Sequence, residues 1–101
     1  MSTTAAHLFI FARFHARADL EEGIVAALRD TVVATRTEPG CVAIAAFRSV
    51  RDPRLFWIHS CFVDEAAFET HAELPHTVHF LDVVQPLIDH PLDVMRTQAI
   101  V

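Results

Sequence analysis

Leu55-Phe-Trp-Ile-His-Ser-Cys-Phe-Val63 has no face that a half-solvated strand could turn to water. Strand side chains alternate between the two sides of a sheet. Phe56, Ile58 and Phe62 therefore share one face, and Leu55, Trp57, Cys61 and Val63 share the other. The first apolar run, from about His7 to His15, has the same character: Leu8, Ile10 and Phe14 oppose Phe9 and Phe11. A sheet that is apolar on both faces needs a layer against each.

The rest of the chain is placed outward from these strands. Cys41 to Val50 predicts the strand before Leu55–Val63, with Arg51-Asp52-Pro53-Arg54 as the hairpin turn. Between the first two strands, Leu20, Ile24, Leu28, Thr31, Val32 and Thr35 recur at a helical period. Asp19, followed three residues later by Glu22, has the capping-box pattern, and Glu38-Pro39-Gly40 stops the helix. Asp64 offers an N-cap to a short helix from Glu65 to His71. Pro75 suits the first turn of a third helix reaching about Gln85, and Val94 to Val101 is a last strand. The order β-α-β-β-α-α-β predicts an α+β, ferredoxin-like domain over residues 1–101. Right-handed crossovers put every helix on one face of its four-stranded antiparallel sheet. Helices then cover one apolar face only. A homodimer formed by sheet-to-sheet packing, a dimeric α+β barrel, is the simplest cover for the other.

Composition narrows the function. Of 101 residues, 52% are apolar, yet no run approaches the ~20 residues of a membrane span. The candidate Leu8 to Phe14 is broken by Arg13. Met1-Ser-Thr-Thr-Ala-Ala6 has neither a basic side chain nor an apolar core, so no signal peptide is expected. The net charge is −5 and all eight bases are Arg, with no basic stripe, which argues against nucleic acid as a partner. Cys41 and Cys61 lie in apolar runs and read as buried, unpaired thiols of a cytoplasmic protein. With only Gly23 and Gly40 there is no glycine-rich loop for a flavin or nicotinamide pyrophosphate.

Seven histidines are unusual at this length, and His71, His76 and His79 fall within nine positions. His76 and His79, at i and i+3, share a helix face. These imidazoles have three readings. One is a metal site completed by His59 or a carboxylate, although no H-E-x-x-H-type pattern is present and no metal is expected. Another is acid–base work on a phenolic or enolic molecule, since imidazole titrates near neutrality. The third is plain helix capping.

The Glu38-Pro39-Gly40-Cys41 turn, the Asp64-Glu65-Ala66-Ala67-Phe68 helix start and the spacing His71…Pro75-His76…Phe80 carry a family likeness. From about His7 to Val101 the chain resembles the antibiotic biosynthesis monooxygenase family, which includes small quinol monooxygenases. The resemblance implies the same monomer and dimer, and it adds a pocket between sheet and helices. It also implies a monooxygenase with no cofactor, acting on a small quinol-like or enolic aromatic substrate. A deprotonated hydroquinone can reduce dioxygen itself, so the protein supplies a base, a hydrogen-bond donor and a dry pocket. His71 and His76 are the expected catalytic residues, with Ser60, Phe62 and His79 binding substrate. Ser60 and Phe62 stand where family members often carry a Glu and an aromatic. The Asn and Trp of the polyketide oxygenases and the haem-degrading branch are not matched: Trp57, the only Trp, has the opposite strand parity to Phe62. On this scaffold the alternatives are an isomerase or a non-catalytic small-molecule-binding protein.

Overall fold

A computed structural model describes residues 6–101. The expectation about a leader falls mainly on residues 1–5, outside the described residues. The elements are β1 (Leu8–His15), α1 (Glu21–Thr35), β2 (Cys41–Arg48), β3 (Leu55–Phe62), α2 (Glu65–Glu73), α3 (Pro75–Val84), a 3-10 turn (Gln85–Leu87) and β4 (Asp93–Thr97). The strands form one antiparallel sheet in the order β2-β3-β1-β4. This is the ferredoxin-like α+β fold, with β1 and β3 at its centre.

Leu8, Ile10, Ala12 and Phe14 of β1 and Phe56, Ser60 and Phe62 of β3 are buried on one face of the sheet. Phe14 and Phe56 pack with Ile24 and Leu28 of α1 and with Phe80 and Val84 of α3. Leu8, Ile10 and Phe62 form a second cluster, covered by Phe68 of α2. All three helices thus lie on one side, as the alternation predicts. On the other side the register runs Phe47 beside Trp57, and Ala45, His59, Phe11 and Met95 in line. Phe11, Phe47, Trp57 and Met95 are 45%, 53%, 37% and 57% exposed there. Among the described residues no helix is long and apolar enough to cross a membrane. Both cysteines are free thiols, Cys61 buried and Cys41 half-buried, and burial raises both above the ordinary thiol range.

Three local expectations need correction. Asp19 does not cap α1: its φ is 68° and the cap position is Leu20, with no side-chain cap bond. The chain is still held by tertiary contacts there, Ala16 bridging to Ile88 and the Arg17 N–H donating to Leu87 O at 2.8 Å. Asp19 takes the left-handed corner of the turn that follows, a conformation Asp tolerates, and Leu20 leaves the buried stripe. Secondly, β2 stops at Arg48 because Ser49 Oγ accepts the Arg51 and Asp52 N–H groups, each at 3.1 Å, and turns the chain. Thirdly, β4 ends at Thr97, opposite Phe9, so almost no β1 remains for Gln98 to Val101 to pair with.

At the end of β1, His15 joins three segments. Its Nδ1 lies 2.6 Å from Asp89 and its Nε2 3.0 Å from Asp52 in the hairpin turn. With a carboxylate at each nitrogen the imidazolium is favoured. The Asp89 hydrogen bond does most to raise the His15 pKa above 6.5; partial burial opposes it and Asp52 reinforces it. Asp52 is held below the usual carboxylate range chiefly by the Arg54 N–H, and Asp89 chiefly by His15. A raised histidine stabilises fully below its unfolded value and stops doing so as pH rises through its folded value. Lowered carboxylates stabilise above their unfolded values and stop as pH falls through their folded ones. The clamp is therefore strongest between those limits, around pH 5. The melting-temperature deficit of His15→Ala against wild type should be largest there and shrink towards pH 8–9. A deficit that grows with pH would contradict the clamp.

Candidate functional site

The site begins where α1 stops. The Glu38 N–H donates to Thr35 O at 3.0 Å and the Cys41 N–H to Glu38 O at 3.1 Å, so the chain turns tightly into β2. At Gly40 a Cβ would lie 2.6 Å from the Ala67 Cβ, so only glycine lets α2 seat on this turn. Asp64 caps α2 as expected, accepting from the Ala67 N–H at 2.8 Å. The glycine turn and the capped helix start dock against each other, and this brings His71 over Glu38. Leu74 is extended and interrupts the helical path, and Pro75 opens α3 without needing an N–H partner. That break lets imidazoles from two helices converge on one carboxylate oxygen. His71 Nδ1 lies 2.8 Å and His76 Nε2 2.6 Å from Glu38 Oε2.

Side-chain exposure is 8% for Glu38, 13% for His71 and 27% for His76. Phe62 and Phe68 rings flank His71 at 5.0 and 5.7 Å between centroids. An ionised carboxylate only accepts hydrogen bonds. The network therefore assigns protons to His71 Nδ1 and His76 Nε2, and in the neutral rings the lone pairs are on His71 Nε2 and His76 Nδ1.

His71 also borders a cavity of about 140 Å³ between the sheet and the helices. Its wall takes Ile10, Ile58 and Ser60 from the sheet, Thr35 from α1, and Thr77 and Phe80 from α3. The lining is mostly apolar, with a few hydroxyls. One of these, Thr35 Oγ1, is fully buried and has no hydrogen-bond partner among the described residues. Buried hydroxyls are rarely left so. A second hollow, of about 200 Å³, lies between α1 and α3 and is bordered by His76 and His79. Thr31 and Phe80 belong to the walls of both spaces.

Of the residues singled out from sequence, His71 and His76 are brought together and Ser60 lies on the cavity wall, 4% exposed. Phe62 is fully buried behind His71 and is not part of that wall. His79 is exposed and shares the outer hollow with His76, whose ring also meets Glu38 beside His71. His59 stacks on Phe11 on the opposite face of the sheet, 4.7 Å between centroids, and completes no cluster with His76. Sequence reasoning missed Glu38, Thr35 and Thr77. Glu38 was in view, in the turn that stops α1 and carries part of the family likeness, but with no chemical role. Its oxygen and the two imidazole nitrogens lie within 4.8 Å of one another, a spacing that also suits a metal ion.

The family profile of antibiotic biosynthesis monooxygenase matches residues 8–83, a span that includes Glu38, His71 and His76. The chain belongs to the antibiotic biosynthesis monooxygenase family. Solved structures agree on the fold. The PA3566 protein of Pseudomonas aeruginosa superposes with a TM-score of 0.91 at 22% identity, covering 99% of this chain and 100% of that one. A structure described as an antibiotic biosynthesis monooxygenase gives 0.88 at 22%, covering 92% and 98%. The SO0527 protein of Shewanella oneidensis gives 0.87 at 26%, covering 93% and 91%. A comparison with curated proteins found no match. Within the antibiotic biosynthesis monooxygenase family, then, this member carries a carboxylate shared by two imidazoles at the edge of an apolar cavity.

Proposed function

We propose that the protein is a monooxygenase needing no cofactor, which oxidises a small quinol-like or enolic aromatic molecule with His71 as its base. The observation that carries this is the placement of His71: one nitrogen is held by Glu38, and the ring borders an apolar cavity. An apolar cavity of about 150 Å³ accommodates a benzene ring. The 140 Å³ here fits one aromatic ring, with Thr35, Ser60 and Thr77 as partners for its oxygens. The unpaired Thr35 hydroxyl supports a ligand with a polar substituent.

In the proposed cycle a substrate hydroxyl gives its proton to His71 Nε2, and Glu38 stabilises the imidazolium through Nδ1–H, the role of the acid in a histidine dyad. The phenolate is electron-rich enough to reduce dioxygen, forming a ring carbon–oxygen bond. His71 returns its proton to the peroxide, and as the O–O bond breaks the same ring carbon gives up its hydrogen as a proton, which joins the departing hydroxide. One oxygen atom stays on the ring, which becomes a hydroxyquinone, and the other leaves as water; the substrate supplies all the electrons. Apolar walls keep bulk water from the anion.

The oxygen electrode tests this. Protein dialysed against a chelator should consume one dioxygen per hydroquinone from a panel of one-ring substrates, above the autoxidation rate. Proton exchange or rearrangement without oxygen uptake would point to the isomerase instead, and binding alone to a non-catalytic role. We place this protein in the cytoplasm as a homodimer. The row of exposed Phe11, Phe47, Trp57 and Met95 is the face a second copy would cover, sheet against sheet. Sedimentation at micromolar concentration should give about twice the 11.3 kDa chain mass. A folded monomer there would contradict the dimer.

A further inference from the structure

We infer that Glu38, His71 and His76 also form a binding site for a divalent transition-metal ion such as Zn²⁺, and that the bound ion silences His71 as a base. The binding follows from the geometry alone; the silencing rests on the proposed role of His71.

One carboxylate and two imidazoles are a donor set that zinc accepts, with water in the fourth position. The three ligand atoms already lie within 4.8 Å of one another. Around a tetrahedral ion with bonds of ~2.0–2.2 Å, ligand atoms sit ~3.3–3.5 Å apart. The present separations of 2.8 and 2.6 Å therefore need to open by less than about 1 Å. The two imidazoles sit on separate helices either side of the extended Leu74, so they can retreat independently. An ion has a way in that avoids the cavity. His76 borders the hollow between α1 and α3 with Asp30 and His79, and Glu38 borders a shallow depression with Pro39, Gly40 and Thr70. Calcium and magnesium prefer six or more oxygens or several waters and do not suit this set.

The chemical consequence follows from counting protons. Each neutral imidazole carries one. The metal takes the lone pair at His71 Nδ1 and at His76 Nε2, so those protons move, through solvent, to His71 Nε2 and His76 Nδ1. No net proton is gained or lost, and nothing is oxidised. A His71 with Nε2–H can donate a hydrogen bond but can no longer accept the substrate proton.

The test uses chelator-treated protein titrated with Zn²⁺ in a calorimeter and with Co²⁺ followed by visible absorption. One ion per chain and a tetrahedral cobalt spectrum are expected. Glu38→Ala and His76→Ala should each weaken binding by about 100-fold or more, beyond the effect of an outer-shell change. His15→Ala, at the far end of β1, should leave it unchanged. Circular dichroism checks that each variant is folded. Binding no tighter than about 1 mM, or binding indifferent to Glu38→Ala, overturns the site. Nitrogen-15 spectra of the zinc-loaded protein should show the His71 proton on Nε2; finding it on Nδ1 overturns the silencing. Where a hydroquinone is turned over, zinc should inhibit in step with its occupancy and a chelator should restore the rate. A wild type that turns over none removes the proposed oxygenase, while cobalt and nitrogen-15 still decide the metal site.

Discussion

His71→Ala should lower kcat on any accepted hydroquinone by about 10²–10⁴-fold, the usual cost of removing a general base. The variant also deletes one of two imidazoles bonded to the nearly buried Glu38 carboxylate, a loss of about 1.5–3 kcal/mol. For a domain this small each kcal/mol lowers the melting temperature by about 4–8 °C, so rates must be measured well below the transition. His71→Gln separates the two effects. Its amide N–H can still donate to Glu38, but it has no basic nitrogen, so it should be more stable than the alanine variant and just as slow. His76→Ala should lose less than the lower end of that range, because His76 faces the outer hollow. If His71→Gln keeps turnover near wild type, the base lies elsewhere. If His76→Ala is the slower variant, the roles of the two histidines are exchanged.

Glu38→Ala carries the second largest effect. Without the carboxylate nothing selects the Nδ1–H form of His71 or stabilises its imidazolium, and kcat should fall by about 10²–10⁴-fold, as when the acid of a histidine dyad is lost. Two part-buried imidazole N–H groups also lose their acceptor, at ~1–3 kcal/mol each. Glu38→Gln distinguishes orientation from charge. Both imidazoles share one oxygen, so an amide oxygen can accept both N–H groups without carrying the negative charge. Its rate should fall between wild type and Glu38→Ala. Single-turnover oxygen uptake reads both variants, and a Glu38→Ala rate within a few-fold of wild type would remove Glu38 from the mechanism.

The fold was legible because its decisive signals are local. Two-faced apolar strands, the Asp64 cap and proline at the start of α3 each act within a few residues. The Asp19 cap was misread for the same reason. A capping box can be recognised over four residues, but the contacts of Ala16 and Arg17 with Ile88 and Leu87 that displace it come from the far end of the chain. In the site, imidazoles stood out by residue type, whereas Glu38 meets its partners across 33 and 38 residues. Its turn already had a sufficient local explanation as a helix stop. Thr35 sat on the buried stripe of α1 as one more face residue, and that its hydroxyl lacks a partner is visible only once the neighbours are in place. His79 drew attention through its i, i+3 relation to His76, but a helix face is wide, and only His76 turns to Glu38.

Nitrogen-15 chemical shifts of the His71 ring, in metal-free wild type and in Glu38→Ala at a pH where the ring is neutral, test the central claim most directly. That claim is that Glu38 holds the His71 proton on Nδ1 and leaves Nε2 free to take one from a molecule in the cavity. Wild type should show a protonated Nδ1 and an unprotonated Nε2, and Glu38→Ala should show a mixture of tautomers. A wild-type His71 protonated on Nε2, or a tautomer unaffected by loss of Glu38, would contradict it.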